Sequence, residues 1–220
     1  MLGDDTLHEQ MLDQWGMAIV ERDWAPGDRV TLTDLVEPVD VSRTVTREAT
    51  RVLEALGMVT VRRRLGALVN PPGLWNAFDP RVIGWRLRSK NVASQIHWLA
   101  QVRSAVEPLA AELAAEHATP EQWAALTEAA IKMVAHSRQA DGPDYLAADA
   151  AFHSTLLTAS GNPMLASLGP AVEAVLRGRT EGGLMPTVAD AQAVRLHCDA
   201  AAAIAAGDGP AAALAMRALV

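Results

Sequence analysis

From residue 81 onward the chain is cut into segments by paired helix breakers: Thr119-Pro120, Gly142-Pro143, Gly161-Asn162-Pro163, Gly182-Gly183 and Gly207-Asp208. Glycine and proline punctuate local structure more strongly than any other residues. Between these breaks apolar side chains recur three and four residues apart, the spacing of one helix face. The pattern predicts helices over 81–88, 92–117, 120–139, 143–160, 163–180, 187–206 and 208–219. Alanine is used heavily here, which suits high helix propensity and close helix contact. No internal repeat is visible. Short breaks between long helices favour antiparallel neighbours, so this half reads as an antiparallel all-α helical bundle.

The first seventy residues follow a different rule. Residues 5–21 have Leu7, Met11, Trp15, Ala18 and Ile19 at helical spacing, and Pro26-Gly27-Asp28 is a turn signal after them. Thr31 to Val36 can form a short helix that Pro38 stops. Ser42 can cap a helix over 43–56, with Val45, Ala49, Val52, Leu53 and Leu56 on one side and Arg43, Arg47 and Arg51 on another. Gly57 suits the residue after a helix end. From Met58 to Val69 the period changes to two short β-branched runs around the basic tip Arg62-Arg63-Arg64-Leu65-Gly66, which reads as a hairpin. The chain is therefore mainly α, with an N-terminal winged helix-turn-helix over 1–70, a Pro- and Gly-rich linker over 71–89 and the bundle over 90–220.

Half of the residues are apolar, enough to build a core, which excludes an intrinsically disordered segment. The single cysteine, Cys198, excludes an internal disulfide and fits a reducing compartment. No apolar run approaches the roughly 18 to 20 residues of a membrane span. The acidic start of the sequence has neither the basic nor the apolar region of a signal peptide. The expected location is the cytoplasm, with no membrane partner. A formal net charge of −7 argues at first against nucleic acid. That total conceals its distribution. Residues 41–70 hold six arginines against two glutamates, whereas residues 1–40 hold two arginines against ten acids. Local sign decides where a phosphate backbone docks.

A helix fits the major groove, and its N-terminal turn favours phosphate through free N–H groups. Arg43 and Arg47 are four apart and share a helix face. The blocks Pro26-Gly27-Asp28, Val41-Ser42-Arg43-Thr44-Val45-Thr46-Arg47-Glu48-Ala49, Leu53-Glu54-Ala55-Leu56-Gly57-Met58-Val59 and Gly66-Ala67-Leu68-Val69 resemble, in content and spacing, the GntR family of bacterial transcription regulators. The resemblance implies binding of double-stranded operator DNA as a homodimer. It implies contacts from Ser42, Arg43, Thr44 and Arg47 in the recognition helix, from Thr33 before it, and from Gly66 with Arg64 in the wing. Arg62 and Arg63 serve equally well as solvated charges or as phosphate contacts. Pro38 and Asp40 depart from the family's unbroken second helix and glycine turn, which bears on the angle of the recognition helix.

In the second half, helix 143–160 places Leu146, Asp149, Ala150, His153, Leu156 and Leu157 on one face. A carboxylate and an imidazole four residues apart on a buried face need partners. They can pair with each other, or they can chelate one metal. His197 and Arg103 lie on apolar stripes of two other helices, which suggests a shared polar cavity. One Asp and two His make a workable divalent-metal set, and a buried Arg suits bidentate capture of a carboxylate. Glu107 lies one turn from Arg103 and is an alternative ion partner that would take it out of a ligand site.

Arg103-Ser104-Ala105-Val106-Glu107-Pro108, Ala111 to Ala118, Asp149-Ala150-Ala151-Phe152-His153, Ser160-Gly161-Asn162-Pro163, and His197 with Ala203-Ile204-Ala205-Ala206-Gly207-Asp208 resemble the FCD ligand-binding domain of the FadR subfamily. The resemblance implies a metal, expected to be Zn²⁺, held by Asp149, His153 and His197. It also implies a small carboxylate effector beside the metal, with Arg103 helping to hold it. A fourth ligand often found in that family falls here on Leu219. Leu74-Trp75-Asn76 and Asp79-Pro80-Arg81-Val82-Ile83-Gly84-Trp85 are similar to regulators of sugar-acid catabolism, which favours a sugar acid as effector.

The sequence reads as a metabolite-responsive regulator, a repressor released by its effector, with no catalytic residues. The alternative is a metal-dependent enzyme acting on a small carboxylate. Against it, the second half offers no convincing general base, and the basic N-terminal segment would be unexplained.

Overall fold

The computed structural model describes residues 4–30, 43–62 and 66–220. The short helix expected over 31–36 lies outside them. The chain forms two compact units, Met1–Val92 and Ala93–Val220.

In the first unit, α1 (Asp4–Glu21) is followed by the turn Pro26-Gly27-Asp28 and the two-residue strand β1 (Arg29–Val30). The Asp28 side chain accepts from the Ala25 N–H at 2.7 Å, so the turn is closed by its own carboxylate. Helix α2 (Arg43–Ala55) buries Val45, Ala49 and Leu53 and exposes Thr44, Arg47, Glu48 and Arg51. Gly57, at φ 71°, ends it in a left-handed conformation, and a Cβ there would lie 2.2 Å from the Leu74 carbonyl oxygen. Strands β2 (Val59–Arg62) and β3 (Gly66–Val69) form the expected hairpin, with Val59 opposite Val69 and Arg62 opposite Gly66.

The sheet has a third member that the sequence reading did not include. β1 pairs antiparallel with β3, Arg29 opposite Leu68, giving the order β1-β3-β2. The closed turn delivers Asp28 beside Val69, where the Val69 N–H donates to the Asp28 carbonyl at 3.0 Å. A strand of two residues carries no periodicity of its own, so only this pairing reveals it.

Residues 71–89, expected as a linker, pack onto this first unit. A 3₁₀ turn (Pro72–Leu74) leads to α3 (Pro80–Arg88), which is capped by Asp79 and opens on Pro80. The Asn76 N–H donates to the Leu56 carbonyl at 2.8 Å, which ties the stretch to the end of α2. Trp75, Val82 and Trp85 enter the core formed by Met11, Leu12, Trp15 and Ile19 of α1, the inner face of α2 and the sheet. Trp85 Nε1–H donates to Asp13 at 2.9 Å, Arg81 donates to Glu9 at 2.8 Å, and Arg88 forks onto Asp13. Pro71, Pro72 and Gly73 shape the 3₁₀ turn and Pro80 opens α3, while Trp75, Val82 and Trp85 carry the apolar surface that docks.

The second unit contains α4 (Val92–His117), α5 (Pro120–His136), α6 (Pro143–Ala159), α7 (Pro163–Ala166), α8 (Gly169–Glu181), α9 (Ala191–Ala205) and α10 (Gly209–Leu219). Thr119 and Gln122 form a reciprocal capping box, and Asn162, Asp190 and Asp208 cap the helices that follow them. The helix expected over 163–180 is broken at Ser167-Leu168, because Gly169-Pro170 begins a new helix with proline in its first turn. Residues 187–190 are not helical. The Ala140 N–H donates to the Thr187 carbonyl, and the Ala189 N–H donates to the Ser137 carbonyl, so this stretch is held against the turn after α5. The core joins fully buried alanines (Ala110, Ala111, Ala114, Ala200, Ala212) to Leu126, Met133, Phe152, Leu156, Leu157 and Met216. No described helix is long and apolar enough to cross a membrane.

Candidate functional site

Inside the second unit, α4, α6 and α9 bring five ionisable side chains, Arg103, Glu107, Asp149, His153 and His197, to one buried point. Asp149 and His153 come from consecutive turns of α6, and His197 comes from α9. His153 Nε2 lies 3.2 Å from Asp149 Oδ1, His197 Nε2 lies 3.4 Å from the same oxygen, and the two Nε2 atoms are 3.4 Å apart. All three residues are buried, and among the described residues they form the group able to hold a metal ion.

The outer nitrogens of both rings are occupied. His197 Nδ1 lies 2.8 Å from the Ala193 carbonyl of its own helix, which can only accept, so Nδ1 carries the proton. His153 Nδ1 lies 3.1 Å from Glu107 Oε2. Glu107 is fully buried and ionised. Burial pushes its pKa up, but His153 and Arg103 outweigh that and hold it at about 2. It too can only accept. In the neutral state of each imidazole the Nε2 lone pair therefore faces the centre.

There the two lone pairs meet Asp149 Oδ1, a buried oxygen with no hydrogen-bond partner. Three acceptors facing one another repel unless a cation or a proton sits among them. Their separations match neighbouring ligand atoms around a metal with bonds of about 2.0–2.2 Å. The arrangement fits a divalent metal in donor type, spacing and outer-shell partners.

The same cluster favours positive charge at its centre in the metal-free protein. Burial and the neighbouring Arg103 oppose charge on His153, but Glu107 and Asp149 together outweigh them and raise the imidazole pKa. Burial likewise opposes charge on Asp149, and the two imidazoles outweigh it, holding the carboxyl well below the usual range.

Arg103 donates to Glu107 through Nε at 2.7 Å and through Nη2 at 3.2 Å. Nη2 also lies 3.0 Å from His153 Nε2 and 3.4 Å from its Nδ1. The two ring nitrogens point away from each other in the ring plane, so a group close to both lies over the ring face. Nη2 thus lies over the imidazole ring, while the Nε2 edge of the ring faces Asp149 and His197. Of the two sequence readings of Arg103, the structure displays the ion pair with Glu107.

Phe152, fully buried, meets the His197 ring edge to face, with centroids 4.9 Å apart, and fixes its plane. Sequence reading did not single out this residue, Glu107's contact with His153, Tyr145 or Arg179. Tyr145 stands one turn before Asp149, a spacing that could have been read. Burial first, and Asp149 next, push its hydroxyl up to about 12. Arg179, near the end of α8, is half-buried; burial lowers its pKa and Arg103 adds to this, while Asp149 opposes it. Two surface grooves flank the outer side of α6, about 460 and 350 Å³, and neither is lined by any member of the metal-ligand set.

In the first unit, α2 presents Thr44 and Arg47 to solvent, with Arg51 paired to Glu48 at 2.6 Å one turn on. Arg43 is the first residue of α2, whose first turn contains no acid. Gly66 opens β3 at φ 85°, a conformation that favours glycine at the wing. Thr33, Ser42 and Arg64 lie outside the described residues.

Comparison with known proteins gives both halves a family. The FCD domain profile matches residues 99–220, and that of the bacterial regulatory proteins of the gntR family matches residues 7–69. The chain is 32% identical over 163 residues to the galactonate operon transcriptional repressor of Escherichia coli (strain K12), covering 74% of this chain and 70% of that one. It is 31% identical over 155 residues to the Uxu operon transcriptional regulator of the same organism, covering 68% and 57%. Among solved structures, Streptococcus agalactiae GntR aligns over 96% of both chains with 26% identity and a TM-score of 0.51. The family and these relatives are transcription regulators, not enzymes. The chain belongs to the GntR family of bacterial regulatory proteins, as a DNA-binding transcription regulator whose second domain is an FCD domain.

Proposed function

We propose that this regulator is a homodimeric repressor of sugar-acid or related carboxylate catabolism, released from its operator by the metabolite. The observation that carries the effector half is the convergence of two imidazole lone pairs and an unpaired carboxylate oxygen inside the FCD domain. Asp149, His153 and His197 would hold a divalent metal, with Zn²⁺ favoured by the two nitrogen donors. When bound, such a metal supplies a positive centre for the oxygens of a carboxylate or hydroxy acid. Leu219 leaves the metal with three protein ligands, so an effector oxygen or water would complete the set. Arg103, whose Nε and Nη2 engage Glu107, would meet the effector carboxylate through its Nη1 side.

In the DNA-binding domain, Ser42, Arg43, Thr44 and Arg47 would contact the operator from the recognition helix, Thr33 before it, and Arg64 and Gly66 from the wing. The exposure of Thr44 and Arg47 on α2 supports that reading. A ligand that prefers one arrangement of the two recognition helices changes operator affinity by its differential affinity for the two states. The galactonate operon repressor among the relatives supports a sugar acid as ligand and repression as the mode. A thermal-shift screen of sugar acids and dicarboxylates, with and without Zn²⁺, tests the assignment. The expected result is a stabilisation by a sugar acid that requires the metal and accompanies loss of operator binding. Metal-independent stabilisation, or none, would overturn it.

A further inference from the structure

We propose that Glu107 is the positioning residue of the metal centre: its carboxylate, reaching from α4 to α6, holds His153 in the tautomer that turns Nε2 inward. The inference rests on the metal reading above. The two histidines are oriented by different means. His197 uses the carbonyl of Ala193, one turn earlier in its own helix, so its tautomer is a property of the α9 backbone. His153 has its Nδ1 against a side chain from another helix, at 3.1 Å from Glu107 Oε2. One ligand is therefore set by the main chain, and the other depends on a single replaceable carboxylate.

Glu107 also holds Arg103 at 2.7 Å through its other oxygen. This contact fixes the carboxylate itself and keeps Nη2 over the His153 ring. With Nδ1 left without an acceptor, a neutral imidazole is free to carry its proton on Nε2 instead. That proton would point at Asp149 Oδ1, 3.2 Å away, and would remove the lone pair a metal needs. Outer-shell carboxylates of this kind alter metal affinity by about 10–100-fold in other metal sites.

The test uses the full chain with ¹⁵N-labelled histidine, at a pH raised until His153 is neutral, and Zn²⁺ as the probe. Two-bond ¹H–¹⁵N correlations distinguish the two tautomers. The metal-free wild type is expected to show His153 protonated at Nδ1. Removing Glu107 alone would strand the charge of Arg103. The comparison is therefore made between Arg103→Met/Glu107→Gln, which keeps an acceptor at Nδ1, and Arg103→Met/Glu107→Met, which does not. The second variant should lose the Nδ1–H signature and bind Zn²⁺ about 10–100-fold more weakly than the first. An Nε2–H tautomer in the wild type, or equal tautomers and equal Zn²⁺ affinity in the two variants, overturns the proposal. A wild type that takes up no Zn²⁺ but shows Glu107-dependent Nδ1–H would sink the metal reading while leaving the tautomer assignment to Glu107 standing.

Discussion

The indole of Trp85 lies across Gly16, where a Cβ would come within 2.3 Å of the ring. Gly16 is in the interior of α1, where replacing glycine by alanine ordinarily stabilises a helix by about 0.5–1 kcal/mol. Here the sign reverses, because the methyl group must push Trp85 and α3 off α1. Gly16→Ala is expected to destabilise the first unit by about 1–3 kcal/mol, in the range of overpacked cores. Calorimetry of the full chain checks it, and a raised unfolding midpoint would contradict the packing.

Tyr145 is the only tyrosine in the chain, so its ionisation can be followed by absorbance without ambiguity. Its folded pKa is raised to about 12, by burial first and Asp149 second. A raised pKa means that this group's contribution to stability is complete below the unfolded value of about 10 and is lost as pH rises through about 12. The native protein should therefore titrate near 12 and the denatured protein near 10. Asp149→Asn should bring the native midpoint down.

Metal uptake should depend on each member of the ligand set. Wild-type protein is expected to hold metal that His153→Ala and His197→Ala lose, as measured by metal analysis after dialysis. Protons compete for the same site, since a histidine must be neutral to bind. The His153 pKa lies above its ordinary value, so Zn²⁺ affinity should begin to fall at a higher pH than for an ordinary histidine site. Equal metal content in all three proteins, or affinity independent of pH from neutral into acid, would argue against the site.

Operator binding should be steeply salt-dependent and should lose much of that dependence in Arg43→Ala/Arg47→Ala. The slope of log affinity against log salt is expected to fall by about 0.9 for each arginine that neutralises a phosphate. Fluorescence anisotropy across a salt series measures it. An unchanged slope and footprint would remove these two arginines from the DNA face.

Helix boundaries were legible wherever a local chemical signal sets them. Thr119-Pro120, Asn162-Pro163 and Asp208 cap helices in the structure, and Gly57 ends α2. The split between α7 and α8 also has a local signal, Gly169-Pro170, set within a continuous run of apolar spacing. β1 had none, because two residues cannot show a period, and its pairing with β3 is a tertiary fact. The docking of residues 71–89 was hidden for the same reason. Trp75 and Trp85 advertise burial in the sequence, but not against what.

At the candidate centre, helical spacing was enough to suggest that Asp149, His153, His197 and Arg103 face inward. It could also relate Glu107 to Arg103, four residues apart on one helix. That Glu107 reaches His153 depends on where α4 lies relative to α6, a tertiary relation that no local rule encodes. Phe152 was concealed differently: next in sequence to His153, it meets the edge of that ring and also reaches His197 of another helix.

The docking of α3 bears on how the DNA-binding half can be dissected. A domain of about 60 residues buries too little of its surface to be more than marginally stable. A fragment cut after the wing, at Val69, would strip Trp75, Val82 and Trp85 from the core and leave Leu56 and Gly57 without the chain that covers the end of α2. A fragment that extends through Arg88 keeps this core whole, and deletion series that stop at the hairpin would mistake a folding defect for a loss of recognition.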